Sequence, residues 1–174
     1  MQTEIKKISP ENVQAVLDLR VAPDQTSYIE STAQCLEEAQ ECSFYVPVAL
    51  YAENELVGFA MYGFFPGEDE SGRVWLDRFL IDRRHQGRGL GRIMLSSLLD
   101  LLYEQFGPCD IYLSLYEDNQ GALRLYEKFG FRFNGELDMN GEKVMVRQRK
   151  IQEDQKLKET HTHAAHPRNS PEYK

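Results

Sequence analysis

The stretch Val74–Arg92, VWLDRFLIDRRHQGRGLGR, decides the fold, because it runs an apolar strand straight into a glycine-rich turn and a helix. Gly87, Gly89 and Gly91 alternate with Arg88 and Leu90, and Ile93-Met94-Leu95-Ser96-Ser97-Leu98-Leu99-Asp100-Leu101-Leu102 then sets apolar side chains at helical spacing. Glycines at such a junction let main-chain N–H groups approach a ligand with no Cβ in the way. The helix that follows offers unpaired N–H groups and the positive end of its dipole. Arg83, Arg84, Arg88 and Arg92 surround the turn in a chain whose formal net charge is -8. Local positive charge on an acidic protein points to an anionic ligand, most simply a phosphate or pyrophosphate. No Gly-Lys-Ser/Thr follows, so this is not a Walker loop. The glycines also lack the third offset of a dinucleotide fingerprint.

A second informative segment is Leu113–Phe131, LSLYEDNQGALRLYEKFGF. Leu113 and Leu115 alternate with Ser114 and Tyr116 as strand residues do. Asn119 is placed to cap a helix whose face is Ala122, Leu125, Tyr126 and Phe129. Gly130 reads as a left-handed C-terminal cap with Phe131 packing back on it. On spacing alone, Asn119 can be a cap, and Tyr126 reads as a core aromatic.

The two segments together, in this order and spacing, resemble the GNAT superfamily of N-acetyltransferases, over roughly residues 3 to 147. The family's acetyl-CoA signature, Gln/Arg-x-x-Gly-x-Gly/Ala, falls on Gln86-Gly87-Arg88-Gly89-Leu90-Gly91. The resemblance implies an α/β fold with a mixed, mostly antiparallel central sheet. Its one parallel strand pair, Val74–Ile81 and Cys109–Tyr116, splays apart to admit a pantetheine arm, and helices cover both faces. It implies acetyl-CoA as co-substrate, with N–H groups of Gln86 to Gly91 on the pyrophosphate and Arg84, Arg88 and Arg92 close by. The backbone of Phe79, Leu80 and Ile81 would pair with the pantetheine, an N–H near Ile81 would face the oxyanion, and Asn119 would contact the coenzyme. Tyr126 stands where the family protonates the leaving thiolate. Asp77 matches a strand glutamate that binds or deprotonates the amine in polyamine acetyltransferases, although it is one methylene shorter. The residues themselves equally allow Asp77 to pair with Arg78 or Arg73, while Asp82 reads as a turn residue.

Outward from these segments, a first strand ends near Ser9-Pro10, with a helix capped by Ser9 or opened by Pro10. Val21–Gln25 breaks that helix, and a second runs from about Tyr28 to Gln40, carrying Glu30, Glu37 and Glu38. Strands Phe44–Leu50 and Leu56–Phe65 turn at Glu53-Asn54, and an acidic loop, Pro66–Gly72, leads to Val74. Asn140-Gly141 reads as a two-residue hairpin turn between Arg132–Glu136 and Lys143–Arg147. Interleaved strands and helices indicate a sheet covered by helices. Residues 1–150 read as one domain. Residues 151–174 read as a disordered polar tail, whose His161, His163 and His166 offer at most weak metal binding.

Composition excludes several classes. At 174 residues with 41% hydrophobic residues the chain suits one packed domain. No segment approaches a membrane span, and Met1–Lys7 has no apolar signal region, so a cytoplasmic protein is expected. Cys35, Cys42 and Cys109 form no close metal-type pair. His85 is the only histidine before the tail, which leaves no material for a histidine metal site or a Ser-His-Asp triad. The tail's acids and bases cancel, so the whole -8 lies on residues 1–150. That charge disfavours nucleic acid and attracts cations.

Glu30, Glu37 and Glu38, with Glu68, Asp69 and Glu70, form candidate walls of a polycation groove. The N-terminal segment and the body resemble bacterial spermine/spermidine acetyltransferases. Acceptors of the alternative kind are a protein N-terminus, an aminoglycoside or an amino acid. A non-catalytic acyl-CoA-binding module is a further alternative, and a homodimer is compatible with the resemblance.

Overall fold

The computed structural model describes residues 1–67 and 72–149. The acidic loop residues Glu68, Asp69 and Glu70, and the tail read as disordered, lie outside the described residues. In chain order the elements are β1 (Thr3–Lys7), α1 (Val13–Leu17), a 3-10 turn (Pro23–Gln25), α2 (Thr32–Glu41), β2 (Tyr45–Ala52), β3 (Glu55–Pro66) and β4 (Gly72–Ile81). There follow α3 (Leu90–Phe106), β5 (Ile111–Leu115), α4 (Gln120–Lys128), β6 (Arg132–Leu137) and β7 (Lys143–Arg147). The seven strands form one sheet in the order β1-β2-β3-β4-β5-β7-β6. All neighbours are antiparallel except β4 and β5.

Period-two alternation along the central strands divides the core into two layers. Val48, Leu50, Ala60 and Tyr62 face one layer, with Met94, Leu95, Leu98, Leu99 and Leu102 of α3 and Tyr126 of α4. Ala49, Phe59, Met61 and Leu80 face the other, with Val16 of α1 and Cys35 of α2. The α3 stripe recurs at helical spacing, and each fully buried leucine contributes about 1.5–3 kcal/mol.

Two irregularities in β4 make the site. Met61 pairs with Arg78 and Tyr62 with Leu76, so Asp77 is an extra residue in a β-bulge. The bulge shifts the phase of the strand: Val74, Leu76 and Ile81 share one core layer, while Leu80 lies in the other. Bulges re-aim side chains, and this one sends Asp77 and Arg78 together toward α2. The second irregularity is the splay. β4 and β5 pair only at Val74–Ile111 and Trp75–Tyr112, so the β5-facing edge of β4 is unpaired from Leu76 onward.

Several local expectations shift. α1 starts at Val13 behind Asn12, whose side chain accepts from the Ser9 N–H at 2.8 Å, rather than at Ser9 or Pro10. α2 starts at Thr32 because Ser31 and Gln34 form a capping box. Glu30 therefore precedes the helix instead of riding on it. Asn140-Gly141 is not a two-residue turn: only Gly141 has positive φ, 81°, and the loop spans 138–142.

Candidate active site

Where β4 and β5 part, a cleft of about 470 Å³ opens between the end of β4, the start of α3 and α4. Of the residues singled out in the sequence, Glu30, Asp77, Phe79, Leu80, Ile81, Gln86, Gly87, Gly89, Leu90, Gly91, Arg92, Asn119 and Tyr126 line it. Arg84, Arg88, Glu37 and Glu38 do not.

The glycine loop suits close approach by a phosphate. Gly87 and Gly89 have φ of 75° and 76°, and a Cβ built at either would meet nothing within 4 Å. The positive φ selects glycine. Gly89 is the N-cap of α3, with no side chain on the first-turn N–H groups, which stay free for an anion. Gly91 differs, since its Cβ would make ordinary contacts with Leu125 and Ile81 at 3.7 and 3.8 Å. Gln86 braces the loop by donating to the Ile81 carbonyl at 2.9 Å and to Gln25 Oε1 at 2.8 Å. The free N–H groups, the bare glycines and an unpaired strand edge together fit a phosphate-bearing thioester with an amide-rich arm.

Asp82 anchors the same loop. It is 1% exposed and accepts from the Arg20 N–H, the Arg84 N–H and the Arg84 guanidinium. Arg84 is thereby committed to Asp82, at 2.7 Å from Nε to Oδ1, and is not brought to the cleft.

Tyr126 is held by the end of its helix. The Gly130 N–H donates to Glu127 O at 3.0 Å and the Phe131 N–H to Tyr126 O at 3.2 Å, a Schellman motif with Gly130 at φ 85°. The Phe131 ring packs edge-on to Tyr126 with centroids 5.7 Å apart. Burial, with Glu142 nearby, raises the Tyr126 pKa above its ordinary value, so the phenol stays protonated at neutral pH. Asn119 caps α4, its Oδ1 accepting from the Ala122 N–H at 3.3 Å, and it lines the cleft as well.

Asp77 and Arg78 sit in a knot of charge. Arg78 is 16% exposed and meets Asp77 at 2.5 Å, Glu30 at 2.6 Å and Glu38 at 3.4 Å. The Glu30 contact is ionic, because its angle leaves Arg78 Nε without an aligned hydrogen bond. Arg73 pairs instead with Glu136, at 2.6 and 3.0 Å. Burial raises the Asp77 pKa; Arg78 opposes this, and Glu38 and Glu30 add to it.

Beside the cleft lies an outer pocket of about 600 Å³, which shares Val21, Tyr28, Ile29, Glu30, Leu80 and Glu142 with it. Tyr116 joins the outer wall, its ring 6.5 Å from that of Tyr28. Carboxylates and aromatic faces together suit cationic nitrogen. Arg78 was considered in the sequence only as a partner for Asp77, and Glu142 was missed altogether. Its one signal was a carboxylate directly after the Asn-Gly step of the last hairpin. Among the described residues no group of His, Cys, Asp and Glu is arranged to hold a metal ion, and no helix is long and apolar enough to cross a membrane.

Residues 13–131 match the family model described as the acetyltransferase (GNAT) family. The chain is 58% identical over 151 residues to a spermine/spermidine N(1)-acetyltransferase of Bacillus subtilis, covering 85% of this chain and 99% of that protein. Among solved structures it resembles an aminoglycoside acetyltransferase in complex with coenzyme A, with TM-score 0.68, 19% identity, and 92% and 99% of the two chains covered. It also resembles a spermidine N-acetyltransferase from Vibrio cholerae in complex with CoA and spermine, with TM-score 0.62, 20% identity, and 83% and 93% covered.

Proposed function

The chain belongs to the GNAT family of acetyltransferases, and from that premise we infer that it transfers an acetyl group from acetyl-CoA to a primary amine of spermine or spermidine. The observation that carries the substrate class is the 58% identity to the Bacillus subtilis spermine/spermidine enzyme over nearly all of that protein. The acidic lining of the cleft and outer pocket, Glu30, Asp77 and Glu142, supports it, since a polyamine is a polycation at neutral pH.

The reaction proceeds by direct attack with both substrates bound, which converts a bimolecular encounter into a positioned one. N–H groups of Gln86 to Gly91 hold the pyrophosphate, and Arg88 and Arg92 add positive charge at the loop. The free edge at Phe79, Leu80 and Ile81 pairs with the pantetheine, and an N–H near Ile81 takes the developing oxyanion. The Tyr126 hydroxyl supplies the proton to the departing sulfur. Asn119 contacts the coenzyme while capping α4. Asp77, Glu30 and Glu38 surround Arg78 and keep the acceptor end of the cleft acidic. Residues 1–150 form the catalytic unit.

The test is acetyl-CoA turnover, read as free thiol, across spermine, spermidine, lysine peptides, aminoglycosides and amino acids. Spermine or spermidine should give the highest kcat/KM. Preference for a peptide N-terminus or an aminoglycoside would move the substrate class and leave the family unchanged.

A further inference from the structure

The 138–142 loop is unusually well fastened for an exposed hairpin end. Asp138 Oδ1 accepts the N–H groups of Asn140 and Glu142, both at 2.9 Å, and its own N–H donates to the Glu142 carbonyl at 3.0 Å. Asp138 Oδ2 accepts from the Ser114 hydroxyl at 2.7 Å, tying the loop to β5 at the splayed end of the sheet. These bonds engage Glu142 through its main chain alone. Its carboxylate is half-buried, not displayed to solvent.

Among the described residues, the two acids that line both the inner cleft and the outer pocket are Glu30 and Glu142. Glu30 is held at 2.6 Å from Arg78, and Asp77 is held at 2.5 Å from the same guanidinium and lines the inner cleft alone. None of the ion pairs among the described residues involves Glu142. Tyr126 is near enough for the Glu142 charge to raise its pKa. Glu142 thus stands on the border between the outer pocket and the inner cleft that Tyr126 lines.

We propose that Glu142, presented by the Asp138-organised loop, is the catalytic base that takes the proton from the attacking ammonium, a role that rests on the polyamine reading above. The charge knot around Arg78 then serves to hold the acceptor rather than to deprotonate it. The protons balance. The ammonium loses one proton to Glu142, which passes it to solvent. The freed nitrogen forms the N–C bond as the C–S bond breaks. Tyr126 gives its proton to the sulfur and regains one from the nitrogen.

The surroundings make this carboxylate a stronger base than a free glutamate. Burial raises the Glu142 pKa first, followed by Asp138 on its own loop; Arg78 of β4 opposes, Glu30 adds, and the nearby Ser114 hydroxyl of β5 opposes. Tyr126 faces it from α4. The adjacent Lys143 is occupied by Glu117 at 2.5 Å.

The experiment compares wild type, Glu142→Gln and Glu142→Asp, with acetyl-CoA and spermine. The loop is fastened through the Glu142 main chain, so the isosteric glutamine removes the base and leaves the loop. Glu142→Gln should lower kcat on the order of 10²-fold and abolish the rising acid limb of the kcat/KM–pH profile. Acetyl-CoA affinity by calorimetry should be unchanged, and Glu142→Asp should restore part of the rate and the limb. A glutamine variant with wild-type kcat and an intact limb overturns the proposal, as does one that raises only KM. If the wild-type protein acetylates another amine and not spermine, the polyamine reading fails, and the same variants assayed on that amine decide the role of Glu142.

Discussion

Asp82 Oδ2 accepts the main-chain N–H of Arg20 at 3.0 Å across 62 residues of sequence. That bond ties the segment between α1 and α2 to the glycine loop, and the return bond from the Arg83 N–H to Arg20 O, at 2.7 Å, doubles it. One buried carboxylate therefore joins the α1–α2 segment to the loop on which the glycines sit.

Burial opposes ionisation of Asp82, but hydrogen bonds from the Arg84 guanidinium and from the Arg20 and Arg84 N–H groups outweigh it and hold its pKa at about 2. The folded value lies below the unfolded one near 4, so the stabilisation is complete above about pH 4 and is lost as pH falls through about 2. It amounts to about 2 kcal/mol. Asp82→Asn should lower the melting temperature at pH 7 by about 4–8 °C. In urea unfolding the gap between variant and wild type should close between pH 4 and pH 2. A constant gap across that range would mean that Asp82 acts through packing alone.

The glycine loop separates conformational need from ordinary space. A valine at Gly89 forces a β-branched residue to φ near 76° and puts a side chain into the open cleft. Binding of acetyl-CoA by calorimetry should weaken by on the order of 10-fold or more, with a strain cost of about 1–3 kcal/mol in stability. Gly91→Ala, whose Cβ meets Leu125 and Ile81 at 3.7 and 3.8 Å, should keep both binding and stability. Equal affinity in the two variants would remove the loop from the binding site.

Tyr126→Phe isolates one hydroxyl in a side chain otherwise fixed by the Schellman motif and the Phe131 ring. Steady-state kinetics should show kcat reduced on the order of 10²-fold, while acetyl-CoA affinity and melting temperature stay near wild type. Unchanged turnover would return Tyr126 to a packing role.

The parts legible in the sequence are those governed by neighbours a few residues away. The strand–glycine loop–α3 run could be read because period-two and helical patterns meet at positions that demand positive φ. The α4 face and its Gly130 cap were equally local. The start of α2 was misjudged because the Ser31–Gln34 capping box outweighs the apolar periodicity from Tyr28, and Glu30 lost its helical position with it. The bulge at Asp77 depends on its register against β3, some 16 residues upstream at Met61, and no pattern within β4 declares it. Glu142 reaches the cleft only because β7 inserts between β5 and β6, a non-local pairing that hairpin rules do not contain.

Charge steering should depend on where an acid sits and not on how many there are. Glu37 is exposed on α2 and lines neither cavity, whereas Glu30 lines both. Glu30→Gln should therefore raise KM for spermine more than it changes kcat, the mark of a binding contact. Glu37→Gln should act weakly and only at low ionic strength, where an exposed charge is unscreened. In parallel, kcat/KM for spermine should fall steeply between low and high salt while a monoamine responds far less, because the attraction grows with substrate charge. Stopped assays over a salt series for both amines and both variants give all four comparisons. A salt-independent reaction, or equal KM effects from Glu30 and Glu37, would show that the acidic cleft does not select the polycation.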